Sequence, residues 1–211
     1  MDRANAAVAP IKDEVVGQAN VDLTRAQVPS APPGGESNLG DVATDAMNWK
    51  ADQLEGTVDF AFANSGGIRA DIPAGDVTFG EVYAAFPFQN VLTTTTLTGA
   101  QVKQVLEQGA SGQFGMVQVS GLRFTYDPSL PVGSRVTSVT VAATNQPLDP
   151  AANYRVATND FMYNGGDNYT MFKQGTNPVI YSDQVLYDVV SGYVSQFSPM
   201  DQRIEGRITT A

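Results

Sequence analysis

Val58-Asp59-Phe60-Ala61-Phe62-Ala63-Asn64-Ser65-Gly66-Gly67-Ile68-Arg69 is the stretch on which the reading of this chain turns. Its first six residues form an apolar run of strand length, which predicts a buried strand. Two glycines then break the run, and an arginine follows just past the turn. Glycine permits positive φ and close backbone approach. Successive N–H groups in such a turn can form a nest for an anion, and the planar Arg69 fork suits carboxylate, phosphate or paired hydroxyls. Asn64, Gly66, Gly67 and Arg69 are therefore candidate ligand contacts. Taken alone, the commoner case is a plain Gly-Gly turn with a surface arginine.

Two further segments pose the same choice. Asn159-Asp160-Phe161-Met162-Tyr163-Asn164-Gly165-Gly166-Asp167 also follows a strand-like run and holds Asn-Gly-Gly. An aromatic six residues before an aspartate fits a base-stacking ring and a carboxylate that accepts from ribose hydroxyls. Stacking of this kind is worth about 1–3 kcal/mol per base. The plainer alternative is a core Phe161 and a turn-stabilising Asp167. In Ala85-Phe86-Pro87-Phe88-Gln89-Asn90, Phe88 before a polar pair could form a second aromatic wall, or both phenylalanines could be buried at a helix exit. A lone carboxylate such as Asp167 makes a poor metal site.

The 211 residues suffice for one sizeable domain with its own core. Apolar content of 42% with 16% charged residues fits a globular chain. No apolar run approaches the roughly 20 residues of a membrane-spanning helix. The net charge of −10 argues against a nucleic-acid polymer as partner. It leaves room for a small anion, which needs only one or two placed cations. With no cysteine and no histidine, the chain lacks disulfides, thiol catalysis and the commonest acid–base side chain. Met1-Asp2-Arg3-Ala4-Asn5 has no secretory apolar region. Met1 precedes what reads as the middle of a helix, which suggests a piece of a longer parent.

Helix and strand signals alternate without a regular βαβ period, which favours an α+β fold. Residues 3–18 read as a helix, and Pro29 to Gly35 as a loop. Ser37 or Asn38 caps a helix with Leu39, Val42, Ala43, Ala46 and Met47 on one face. Thr78-Phe79-Gly80-Glu81 and Thr98-Gly99-Ala100-Gln101 are capping boxes, the first opening a short helix to Ala85 and the second a helix to about Gly109. Strands are predicted at 91–97, within 116–126, at 135–142 and at 154–158. A last helix is predicted at about 183–195, with a closing strand near Ile208. No linker is long enough to separate independent domains.

Together these segments resemble, in order and spacing, the C-terminal domain of the 5′-nucleotidase family, which includes bacterial UDP-sugar hydrolases. The matching stretches are Glu36-Ser37-Asn38-Leu39-Gly40-Asp41 with Asp45-Ala46-Met47, then Asn64 to Arg69, then Pro87-Phe88-Gln89-Asn90. They continue with Val119 to Phe124 and Tyr126-Asp127, then Asn159 to Asp167, and finally Glu205-Gly206-Arg207-Ile208. The resemblance covers roughly residues 18–208. It implies a single compact domain, layered α/β/β/α, over residues 19–211, with residues 1–18 as the remnant of an inter-domain linker helix.

The resemblance also implies a role. Phe88 and Phe161 match the rings that sandwich a nucleobase, and Arg69 an arginine that contacts the nucleotide. Asn64 matches an asparagine near the reacting phosphate, and Asp167, after Gly166, the aspartate that binds ribose hydroxyls. Asn90 matches a position used for the base in some bacterial members. Family hydrolysis of nucleoside monophosphates or related nucleotides uses a separate N-terminal metallophosphoesterase domain with two divalent metal ions. This chain has no histidine and no Asp-x-His motif from which to build one. It is therefore expected to bind a nucleoside or nucleotide, to hold no cofactor or catalytic residue, and to be silent alone. The family context implies an extracytoplasmic location. One departure stands out: Pro32-Pro33-Gly34-Gly35 occupies the place of the family's phosphate-reaching arginines, and Arg25 is the nearest upstream. The alternative is a non-catalytic assembly or cell-surface interaction module that has lost nucleotide binding. Retention of Phe88, Phe161 and Asp167 together speaks against it.

Overall fold

A computed structural model describes residues 11–30 and 34–211. Its centre is a five-stranded sheet in the order β10-β4-β9-β2-β5. The strands are β2 (Phe60–Ala63), β4 (Val91–Thr98), β5 (Gln118–Ser120), β9 (Asn153–Asn159) and β10 (Thr176–Val185). The Phe-Ala-Phe-Ala sequence of β2 explains how both sheet faces are covered. Alternation sends Phe60 and Phe62 to one face and Ala61 and Ala63 to the other, and all four are buried. The small face receives helix α1 (Asn38–Glu55) through Met47 and Ala51. The large face packs on helix α3 (Gly99–Gly109) and on β6 (Leu122–Tyr126) of a second sheet. That sheet has the order β11-β6-β7-β8, with β7 (Val136–Val141), β8 (Gln146–Pro147) and β11 (Ile208–Thr210). Burying each such phenylalanine is worth about 1.5–3 kcal/mol.

The other side of α1 packs on helix α5 (Leu186–Phe197), through Val189, Val190 and Val194. Beside it lies a hairpin-like pair, β1 (Val15–Ala19) with β3 (Gly75–Thr78). Helix α2 (Phe79–Ala85) and α3 begin at the two expected capping boxes, at Thr78 with Glu81 and Thr98 with Gln101. Ser37 caps α1 by accepting from the Gly40 N–H. No helix among the described residues is long and apolar enough to cross a membrane.

Three expectations are corrected. The helix predicted over 3–18 gives way, in its described part, to the strand Val15–Ala19, whose backbone pairs with β3; residues 3–10 of that prediction lie outside the described residues. The last helix begins at Leu186, not near 183, because residues 176–185 form the edge strand β10 against β4. The 116–126 run divides at Gly121, which has φ 81° and turns the chain from one sheet to the other.

The C-terminal segment is fastened to the start of α1 by a buried charge cluster. The fully buried Glu36 carboxylate accepts the Glu205 and Arg207 N–H groups at 2.5 Å each, and that of Ile208 at 3.2 Å. Arg207 donates to both oxygens of Asp45 at 2.7 Å and to Glu205 at 2.9 Å. Asp41, 3.6 Å from the Arg207 Nε, is 1% exposed and neither of its oxygens has a hydrogen-bond partner. Burial pushes its pKa up to about 9, with the Glu36 and Asp45 charges acting in the same direction and Arg207 opposing them. In the unfolded chain Asp41 ionises near 3.8. The fold thus binds one more proton than the unfolded chain through this window, and its stability falls as pH rises. Asp41→Asn removes that titration. Urea melts are expected to show the variant gaining on the parent between pH 4 and pH 8, by up to about 5 kcal/mol for one proton over four pH units; a difference that does not change with pH contradicts this.

Candidate functional site

The sheet register brings distant segments to one edge. β2 and β9 run parallel, with Phe60 opposite Val156 and Ala61 opposite Ala157. Both therefore release their following loops at the same end. β4 and β5 are antiparallel to these neighbours, with Leu92 opposite Asn159 and Ala63 opposite Gln118. Their preceding loops arrive where the other two depart. Four loops thus converge outside the carboxyl ends of the parallel pair, the usual place for a ligand crevice in such sheets.

They enclose a cavity of about 330 Å³ lined by Asn64, Gly66, Gly67, Arg69, Phe88, Asn90, Phe114, Phe161 and Asp167. Every candidate contact from the sequence lines it except Gly166, which lies directly beneath Phe161. A Cβ on Gly166 would stand 2.5 Å from the Phe161 ring, so only glycine lets that ring lie over the loop. Phe88, Phe114 and Phe161 are 46%, 45% and 41% exposed. Such converging apolar surface marks a binding site more often than scattered single residues do. Phe161 is thus not a core residue. The pair Phe86 and Phe88 divides: Phe86 is buried and Phe88 faces the cavity.

Phe114 is the lining residue that sequence reasoning missed. It sits in Ser111-Gly112-Gln113-Phe114-Gly115, and a lone large aromatic in a glycine-rich turn was its only local sign. Gly115, at φ 82°, would set a Cβ 2.5 Å from the Ser65 Oγ, so this turn packs closely against the Gly-Gly turn.

The polar groups are linked. Asn64 Nδ2 donates to Asp167 Oδ2 at 3.0 Å, and Asn159 Nδ2 donates to Asn64 Oδ1 at 3.1 Å. Asn159 Oδ1 accepts the Met162 N–H at 2.8 Å and caps helix α4 (Asp160–Tyr163). Asp167 lies in the left-handed region at φ 52°, and its carbonyl accepts from Gln108 Nε2 at 3.1 Å. Burial, with the Asp167 charge second, raises the pKa of the neighbouring Tyr169 phenol.

The Gly-Gly turn differs from its expected geometry. Neither Gly66 nor Gly67 has positive φ. The Gly67 and Ile68 N–H groups donate inside the turn, at 3.0 and 3.1 Å, and the Arg69 N–H donates to Ala85 O at 2.8 Å. No nest is assembled from these groups, and the cation facing the cavity is the Arg69 side chain, with Nη1 3.3 Å from Gly66 O. Arg25 does not line the cavity; its N–H donates to Asp71. Among the described residues no group of three or more His, Cys, Asp or Glu side chains could hold a metal ion. The side chains of the described residues do not fit a two-metal centre. A larger open groove of about 610 Å³ lies between α3 and β7. It has no aromatic side chain, and its Glu107 carboxylate is engaged by the Arg135 and Val136 N–H groups. The smaller cavity, with rings, a cation and a carboxylate together, is the better candidate.

A family model described as the 5′-nucleotidase C-terminal domain matches residues 15–174. A trifunctional nucleotide phosphoesterase of Bacillus subtilis is 34% identical over 220 residues, covering 99% of this chain and 14% of the relative. A cell wall protein of Listeria monocytogenes is 33% identical over 220 residues, covering 99% of this chain and 27% of the relative. The crystal structure of a 5′-nucleotidase precursor from Thermus thermophilus superposes with a TM-score of 0.88 at 38% identity, covering 98% of this chain and 41% of that one. The chain thus spans less than half the length of each.

Gly166→Ala tests the packing beneath Phe161. The ring is exposed and free to swing away, so stability is expected to stay within about 1 kcal/mol. Nuclear Overhauser contacts between ring 161 and residue 166 are expected to change. A loss above about 2 kcal/mol, or an unmoved ring, contradicts the geometry.

Proposed function

The chain belongs to the family of 5′-nucleotidase C-terminal domains, and from that premise we propose that it is the nucleotide-holding half of a metal-dependent nucleotidase. The convergence of exposed Phe88 and Phe161 with Asp167 and Arg69 in one cavity carries the reading. Phe88 and Phe161 sandwich the base. Asp167 accepts from the ribose hydroxyls, and Asn90 lies within the same cavity for the base edge. Gly66 and Gly67 keep the floor free of side chains, and Gly166 admits the Phe161 ring.

Arg69 takes the phosphate side, because a guanidinium fork matches phosphate oxygens. It is the one cation among the described lining residues, so phosphate adds less affinity than base and ribose. Asn64, near the phosphate by its place in the turn, has one amide hydrogen directed at Asp167 and a second left for ligand. Hydrolysis belongs in this proposal to a metallophosphoesterase domain outside this chain. There a pair of divalent metals would activate water and neutralise the phosphate. The isolated chain presents the substrate and does not cleave it. The relatives, named as a nucleotide phosphoesterase and a cell wall protein, support a nucleotide ligand and an extracytoplasmic location.

Calorimetry without added metal tests this. Adenosine and AMP are both expected to bind, and Phe161→Ala to weaken both by about 1–3 kcal/mol. Arg69→Ala is expected to weaken AMP and leave adenosine unchanged. Undiminished binding by Phe161→Ala would remove the aromatic clamp. Absence of binding by any nucleoside or nucleotide at millimolar concentration would favour an assembly module instead.

A further inference from the structure

An ionised carboxylate only accepts hydrogen bonds. The group 3.0 Å from Asp167 Oδ2 is therefore the Asn64 amide nitrogen, which fixes the orientation of that amide. Asn64 Oδ1 then faces Asn159, which must donate, so Asn159 Oδ1 faces the Met162 N–H. All three donors point the same way, from the first turn of α4 to the Asp167 carboxylate. In such a chain each bond polarises the next. Asn64 and Asn159 are 6% and 2% exposed, so water does not compete for them. Asp167 holds a left-handed conformation that a non-glycine residue keeps only where its surroundings enforce it. Its Oδ2 is occupied by Asn64, and among the described residues no donor reaches its Oδ1.

We propose that the Asn159–Asn64 amide chain is the positioning device by which this cavity selects ligands carrying a vicinal diol, holding Asp167 with one oxygen occupied and the other presented to the two hydroxyls. This rests on the reading of Asp167 as the ribose contact. Asn64 and Asn159 are then positioning residues that act through Asp167. They set a preference for ribosides over deoxyribosides without touching the sugar.

The test compares adenosine with 2′,3′-dideoxyadenosine on the full chain by calorimetry. The parent is expected to prefer adenosine by about 10- to 100-fold, the worth of hydrogen bonds to a charged group. Asn64→Ala is expected to collapse that ratio toward one, with the greater loss falling on adenosine. A ratio that survives Asn64→Ala overturns the proposal and leaves the nucleotide reading intact. Failure of the parent to bind adenosine at all removes both.

If Asn64→Ala does not fold, Asn64→Asp decides. It sets a second carboxyl against Asp167, and two carboxyls at this distance lose their protons in two separated steps. Near pH 5 the shared proton replaces the lost amide hydrogen, and adenosine affinity is expected to approach that of the parent. Toward pH 8 the pair becomes doubly charged, and affinity is expected to fall about tenfold or more, while the parent stays flat. The other ionisable groups beside the pair are Arg69, which lines the same cavity, and the buried Tyr169 phenol, which feels the Asp167 charge. A pH-independent affinity in Asn64→Asp overturns the proposal.

Discussion

The parallel pairing of β2 with β9 is the constraint from which the cavity follows. Asn64 and Asp167 are 103 positions apart, and they meet because the two strands end at the same edge of the sheet. The register is enforced by side-chain size. Phe60 and Phe62 fill the face toward α3 and the smaller sheet, while Ala61 and Ala63 admit α1 on the other. A slip of one residue would drive the phenylalanines into α1 and leave a void opposite. Rigid strands then carry the loops, and the loops carry the polar and aromatic groups. This division of labour suits a site that must hold a ligand in a fixed orientation.

A second constraint acts at the start of α1. Glu36 gathers the N–H groups of the C-terminal segment, and Arg207 ties the same segment to Asp45. Burial first, and then the neighbouring Glu36 and Asp45 charges, push the Asp41 carboxyl toward its protonated form against the opposing pull of Arg207. Buried ion clusters of this kind add little net stability, but breaking them is expensive. The cluster closes β11 onto β6 in the smaller sheet and so secures the surface on which Phe60 and Phe62 rest.

Much of this was legible in the sequence because it rests on local chemistry. The Ser37, Thr78 and Thr98 caps announce three helices through side-chain-to-backbone bonds within three residues. It was the family resemblance that assigned Phe88, Phe161 and Asp167 to one pocket, and all three line one cavity in the structure. What was not legible depends on pairing. Residues 176–185 carry no clean alternation and include Asn177-Pro178; they become a strand by pairing with β4. Helix α5 has no side-chain cap, so its start gave no signal. Val15–Ala19 is extended through its partner β3, and its composition says nothing of that partner. Phe114 reaches the cavity only because β5 enters beside β2. The Gly-Gly turn lines the cavity but forms no nest, since the Gly67 and Ile68 N–H groups close the turn itself.

The central claim, that the cavity at the end of β2 and β9 is a nucleotide site, is tested most directly by mapping adenosine on the amide spectrum of the protein. Chemical-shift changes are expected at Gly66, Gly67, Phe88, Asn90, Phe114 and the Phe161–Asn168 turn, saturating together with one affinity, with little change along α3 and β7. Shifts concentrated in the α3–β7 groove, or none at millimolar adenosine, would contradict it.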